Sequence, residues 1–347
     1  MPRPQTKAAY NGDLQPRHPI SLFACAIVNG YIKAKDVLTM LRKLQIWRDR
    51  RGKLSWLRVA ALAFLLLPVG IALWNADAIV HGARPLNDVI HRAGFWMLMF
   101  ILTTLAITPL RRITRFGQLI DVRRMLGVGA FVYGVAHISL YTADQMYDLV
   151  KVASEIAQRI YLIIGFTALL GLATLAATST DAMVRRLGAL RWQRLHYAVY
   201  GIGILALIHF FQQTKADVSV PTFTAGVFTW LIGYRIVVKL WKVRGELSTL
   251  ALVGLSVAVA ALTFLAEAVG IAIVFDAPPL LVLQANLDFD VDLDMIRPGW
   301  LVLAAGLAVA ALNFVCARLV KPRRTRVAPG KGRTREAPRE RALASAN

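Results

Sequence analysis

The chain has 347 residues, 57% of them hydrophobic, and carries 41 Lys and Arg against 20 Asp and Glu. Apolar usage in a soluble domain is about 45–50%, so an ordinary soluble globular protein is excluded. The same holds for a nucleic-acid role for the formal charge of +21, since that needs a basic face on a folded soluble domain. Lys and Arg instead gather between apolar runs and at both ends, the pattern of cytoplasmic loops in a membrane protein.

In chain order, residues 1–56 form a basic, cytoplasmic N-terminal extension. Its run "ISLFACAIV" at 20–28 is short and lacks a small-residue cleavage pattern, so no removable signal peptide is expected. "DVLTMLRKLQIWRDRRGKLSW" reads as an amphipathic interfacial helix, or as sequence around a true start at Met40. Eight apolar runs then have the length of membrane-spanning helices, at 57–75, 91–109, 125–142, 156–178, 192–211, 221–240, 248–275 and 299–319. The loops alternate in charge. Arg111, Arg112, Arg115, Arg123 and Arg124 lie between the second and third spans; Arg185, Arg186, Arg191 and Arg194 between the fourth and fifth; Lys239, Lys242 and Arg244 between the sixth and seventh. The intervening loops carry Asp77 and Asp88, then Asp144, Asp148 and Glu155, then Asp217, then Asp276 and Asp288 to Asp294. An even number of spans with both termini in the cytoplasm satisfies the positive-inside rule at every loop. This predicts an all-α, multi-pass membrane protein with both termini on the cytoplasmic side.

The last two spans contain no histidine, and Glu267 is the only charge deep in either. Residues 243–320 therefore read as an accessory hairpin appended to a 57–242 core, with an acidic outer loop. In that loop Asp288, Asp290, Asp292 and Asp294 alternate with apolar residues at strand period, without the turn glycine and later glutamate of a calcium loop. It is either solvated or a docking edge for an outer partner. Residues 321–347, rich in Pro, Arg and Ala, read as a disordered basic tail that anionic lipid attracts. Cys25 and Cys316 are too few and too poorly placed for a disulfide framework.

An imidazole inside hydrocarbon is costly and calls for a partner. His137 follows Arg124 by 13 residues, roughly 20 Å of helix, and His209 follows Arg194 by 15, roughly 22 Å, so the two are level near the outer face. Level imidazoles on facing helices are what axial ligation of a b-type heme requires. His196, near the inner boundary and about 140° around the helix from His209, has no level histidine. It ligates a second heme with a non-histidine ligand, or binds a quinone or flavin, or contacts a propionate. His91 opens the second span and either lines the outer site or caps its helix. Arg123, Arg124 and Arg194 mark the inner rim, where arginines pair with propionates or a quinone head group, or simply orient the spans.

"HRAGFWMLMFILTTLAITPLRR", "RRMLGVGAFVYGVAHISLY", "LATLAATSTDAMVRRLG" and "RWQRLHYAVYGIGILALIH", at 91–112, 123–141, 172–188 and 191–209, together resemble the MsrQ (YedZ) family. These are the heme-binding membrane subunits of periplasmic methionine sulfoxide reductase systems, within the ferric-reductase-like superfamily. The resemblance spans residues 57–242. Departures are Ala93-Gly94 in place of Thr-Gly and Arg159-Ile160-Tyr161 in place of Arg-Pro-Tyr. It implies a six-helix core holding heme b through His137, His196 and His209, and an association with FMN. It also implies electrons drawn from quinol or reduced flavin and passed to a periplasmic molybdopterin-containing reductase.

The nearest rival is a ferric-chelate-reductase-like cytochrome, which would work with a separate flavin reductase because the basic tail supplies no flavin domain. A transporter would show broken helices and buried charge at the midplane. A purely structural membrane protein leaves the level histidines without a reason.

Overall fold

The computed structural model describes residues 52–75, 81, 85–214, 217–242, 247–288 and 296–319. Every element among them is helical. In order they are α1 (Trp56–Trp74), α2 (Pro85–Ile113), a 3-10 turn (Gly117–Leu119), α3 (Ile120–Asp144), α4 (Leu149–Gln158), α5 (Ile160–Ala177), α6 (Asp181–Leu187), α7 (Ala189–His196), α8 (Ala198–Gln213), α9 (Ser219–Leu240), α10 (Thr249–Phe275), α11 (Pro279–Leu287) and α12 (Pro298–Leu319). Among the described residues, eight segments are long and apolar enough to cross a membrane, with α7 and α8 together making the fifth. All eight coincide with the spans read from sequence. Their outward surface is apolar, with Leu66, Leu170, Ile204, Leu262 and Ile273 exposed, as lipid-facing side chains must be. The amphipathic helix expected before residue 52, the aspartates at 290, 292 and 294, and the basic tail lie outside the described residues.

Three boundaries differ from the sequence expectation, each for a local reason. The second span starts six residues early, because Pro85 suits the first helical turn and Asp88 favours its positive end. The fourth starts late. Residues 149–158 form the separate helix α4, capped by the Asp148 side chain on the Lys151 N–H at 2.9 Å, and the extended Arg159 divides it from α5. The loop after the seventh span holds the short helix α11, begun by a proline.

The described residues fall into two compact units. The first comprises residues through Thr104 and Gln118–Phe210. In it α1 packs on α3, α3 on α5 and α4 on α5. Phe100, wholly buried, joins Phe64 and Tyr133 edge-on at 5.3 and 5.0 Å, and the Tyr133 hydroxyl donates to the Leu65 carbonyl at 2.7 Å. Gly134 lies against Met97 and Leu169, and Gly171 against Ile202. Missing side chains of this kind are how membrane helices approach closely.

The second unit comprises Leu105–Gly117 and residues from Phe211 onward. Here α10 packs on α9, α11 and α12, and α9 on α12. Gly226 sits against Val302 and Thr263, and Gly306 against Ser256 and Trp230. The Trp230 Nε1 donates to Ser256 Oγ at 3.0 Å. Arg235, inside the sixth span, is accounted for by a proline. Pro109 has no N–H to offer the Leu105 carbonyl, and Arg235 donates to that carbonyl and to the Leu231 carbonyl instead. Glu267 on α10 and Asn286 on α11 are buried, at 5% and 1% exposure, and Asp217 and Arg297 are within electrostatic range of Glu267.

Candidate functional site

Within the first unit, α3 carries His137 and α8 carries His209, and their ring centroids are 6.4 Å apart with planes at 85°. Each ring is anchored the same way. The Nδ1 of His137 meets the Ile90 carbonyl on α2 at 2.8 Å, and the Nδ1 of His209 meets the Tyr161 carbonyl on α5 at 2.8 Å. A carbonyl only accepts, so both Nδ1 atoms carry the hydrogen and both Nε2 atoms keep a lone pair, the form in which imidazole binds a metal. Each ring also lies over a glycine one turn beyond its carbonyl. A Cβ on Gly94 would stand 3.1 Å from the His137 Nδ1, and one on Gly165 would stand 2.7 Å from the His209 Nδ1.

The pair suits one metal held between two imidazoles. Two metal–nitrogen bonds of about 2 Å each, with half the width of each ring, come to about 6 Å, close to the observed separation. Two protein nitrogens are few for a bare ion and enough for an iron whose other positions a porphyrin fills. His91 joins this end of the unit. Its Nδ1 donates to the Asn87 carbonyl at 2.8 Å, and it lies within electrostatic range of His137 and His209. Tyr161 is stacked on His209 at 6.4 Å, and Phe210, next in sequence to His209, meets Phe95 at 6.3 Å.

His196, at the arginine-rich end of the same unit, is built differently. It closes α7, its ring is stacked on Trp192 at 3.9 Å, and its Nδ1 donates to the Trp192 carbonyl at 3.0 Å. Its Nε2 lies 3.4 Å from the Ser179 hydroxyl, which itself donates to the Leu175 carbonyl. Arg123 and Arg124 are within electrostatic range of it, and Arg124 pairs with Asp181 at 2.7 Å. Arg194 is exposed, two residues before His196 on the same helix. The structure therefore brings His91, His137 and His209 together at one end, and His196, Arg123 and Arg124 at the other.

Residues 91–208 match the family described as the ferric reductase like transmembrane component, a stretch that contains His91, His137 and His196. Over 194 residues the chain is 40% identical to the protein-methionine-sulfoxide reductase heme-binding subunit MsrQ of Xanthomonas campestris pv. campestris, covering 53% of this chain and 86% of that protein. The chain belongs to the MsrQ family. The MsrQ protein of Ralstonia nicotianae is 41% identical over 168 residues, covering 48% of this chain and 76% of its own length. No solved structure matches.

Membership in the MsrQ family accounts for the histidine-bearing spans and leaves much of the chain to be explained on its own terms. Sequence reasoning passed over Gly94, Gly165, Ser179 and Trp192. Gly94 stood in a dipeptide already noted as a departure, Ala93-Gly94, and Trp192 lies one turn before His196; Gly165 and Ser179 gave no signal.

Proposed function

We propose that this chain is a b-type cytochrome carrying electrons across the bacterial inner membrane, with His137 and His209 as the axial ligands of one heme. The observation that supports this most directly is the pair of Nδ1-anchored imidazoles at 6.4 Å. When bound there, the heme supplies a one-electron carrier in a low-dielectric setting. The residues of the chain do the rest. The Ile90 and Tyr161 carbonyls orient the ligand rings, and the Tyr161 ring stacks on that of His209. His91 lines this outer site.

His196, Trp192, Arg123 and Arg124, with Arg194 on the rim, make the entry end. There a stacked aromatic pair and cationic groups suit the head group of a quinol, a reduced FMN, or the propionates of a second heme ligated by His196. The relatives are named subunits of protein-methionine-sulfoxide reductases. The proposed acceptor is accordingly a periplasmic, molybdopterin-containing catalytic subunit that reduces oxidised methionine, so the chemistry on sulfur belongs to the partner. The ferric-reductase-like match supports one rival, delivery of electrons to a ferric chelate. The two readings divide on which acceptor reoxidises the reduced protein.

The test of the ligand pair is the reduced-minus-oxidised spectrum of purified full-length protein. His137→Ala and His209→Ala should each abolish or reduce the b-type signal. Full heme retention in either variant removes that pairing.

A further inference from the structure

The two ligand histidines are held by one construction, used twice. In each case the imidazole N–H reaches a helix carbonyl that lies four residues before a glycine, Ile90 before Gly94 and Tyr161 before Gly165. Inside a helix the carbonyl at position i already accepts the N–H at i+4. It has a second lone pair, but the side chain at i+4 stands beside it on the helix surface. A residue without Cβ there leaves room for an imidazole to use that lone pair, where a Cβ would stand 3.1 Å from the ring at Gly94 and 2.7 Å at Gly165. The hydrogen bond, the glycine ledge and the ring's own bond to its Cβ are three points, and three points define a plane.

We infer that Gly94 and Gly165 are positioning residues that hold the imidazoles of His137 and His209 in nearly perpendicular planes across the metal. This rests on the heme reading above and adds to it the orientation of the ligands and the residues that set it. The angle between the rings is 85°. The consequence is electronic. Each imidazole donates π density into the iron d orbital that lies perpendicular to its own plane. Parallel rings load one orbital of the pair and split it from the other. Perpendicular rings load both, leave them almost degenerate, and make the ferric low-spin centre strongly anisotropic.

The test is the low-temperature electron paramagnetic resonance of the oxidised, purified full chain, together with its heme content. The wild type should give a low-spin spectrum dominated by one feature at very low field. Gly165→Ala, whose Cβ would stand 2.7 Å from Nδ1, should move that feature toward the resolved rhombic pattern of near-parallel rings, or lose heme from protein still recovered in the membrane. Gly94→Ala, at 3.1 Å, should do so less. Gly201→Ala is the control, on the same helix as His209 with no atom within 4 Å of the added carbon, and should leave spectrum and heme content as they are. A wild-type spectrum with the rhombic pattern, or Gly165→Ala with unchanged heme and spectrum, overturns the positioning role while the heme reading stands. A wild type that binds no heme, or that keeps it after His137→Ala or His209→Ala, overturns that reading itself.

Discussion

His196 differs from His137 and His209 in what its nitrogens do. Those of His137 and His209 divide into one anchored and one available, whereas both nitrogens of His196 have neighbours and its ring is covered by Trp192. On the proposed function, a group placed in this way serves the entry end of the path more readily than it ligates the outer heme. His196→Ala should therefore slow reduction of the outer heme by quinol or reduced flavin in stopped flow while heme stays bound; unchanged kinetics would refute that role. Asp217 offers a separate, pH-linked expectation. Its carboxylate accepts from the Ser219 hydroxyl and from the Ser219 N–H at 2.9 Å, which holds it below the usual carboxylate range. Since the folded value is the lower one, its stabilisation is present at neutral pH and above, and is lost as pH falls through that value. Asp217→Asn should flatten the acid limb of the stability curve below about pH 4, by no more than a few tenths of a kcal/mol at this exposed position. At this scale the histidines were legible in sequence, because depth follows from counting residues along a helix. The glycine ledges were not. A glycine acts through the atom it lacks, and only the neighbour that fills the space reveals it.

Among the elements, α2 and α9 show how a break in one helix is answered by a side chain from another. Pro109 withdraws the donor that the Leu105 carbonyl expects, and Arg235 replaces it. Arg235→Leu should lower stability by about 1–3 kcal/mol by leaving a carbonyl unpaired away from water. Pro109→Ala restores an N–H in the helix, so the double variant should recover part of the loss in a thermal melt in detergent. Simple additivity of the two would show that they act independently. No window of sequence displays this pairing, because its members lie on different spans and each alone reads as an irregularity. The span centres were legible, since length and apolarity suffice for them. Their ends were set by finer chemistry: the Asp148 cap that separates α4 from α5, the first-turn proline of α2, and the extended Arg159.

For the molecule as a whole, the packing units divide the chain elsewhere than the proposed boundary between a 57–242 core and a 243–320 hairpin. α9 precedes that boundary, yet its buried Phe228, Trp230, Leu231 and Tyr234 belong to the unit of α10 and α12. All the span histidines lie in the other unit. Truncation after Lys242 should accordingly keep the heme spectrum but lower yield and melting temperature, because α9 loses the helices that cover it. Loss of heme from a truncated chain that still inserts would mean that α10 and α12 belong to the heme-binding core. Charge alternation between loops made the eight-span topology readable, while the grouping of helices depends on which small residues meet which large ones, as Gly226 meets Val302 and Gly306 meets Ser256.

The double anchoring of the histidines also bears on the order in which the protein can be made. His137 is held by α2, the long helix just before its own, and His209 by α5, the span just before its own. Each imidazole is therefore oriented by a segment that has already left the ribosome when the histidine emerges. A nascent chain that has delivered α2 and α3 holds one oriented ring and nothing opposite it. The second half closes only after α8 is synthesised. On the proposed ligand pair, the heme would have no complete seat until late in translation and would then meet two rings already aimed, so its capture would be docking into a finished clasp without refolding of the bundle.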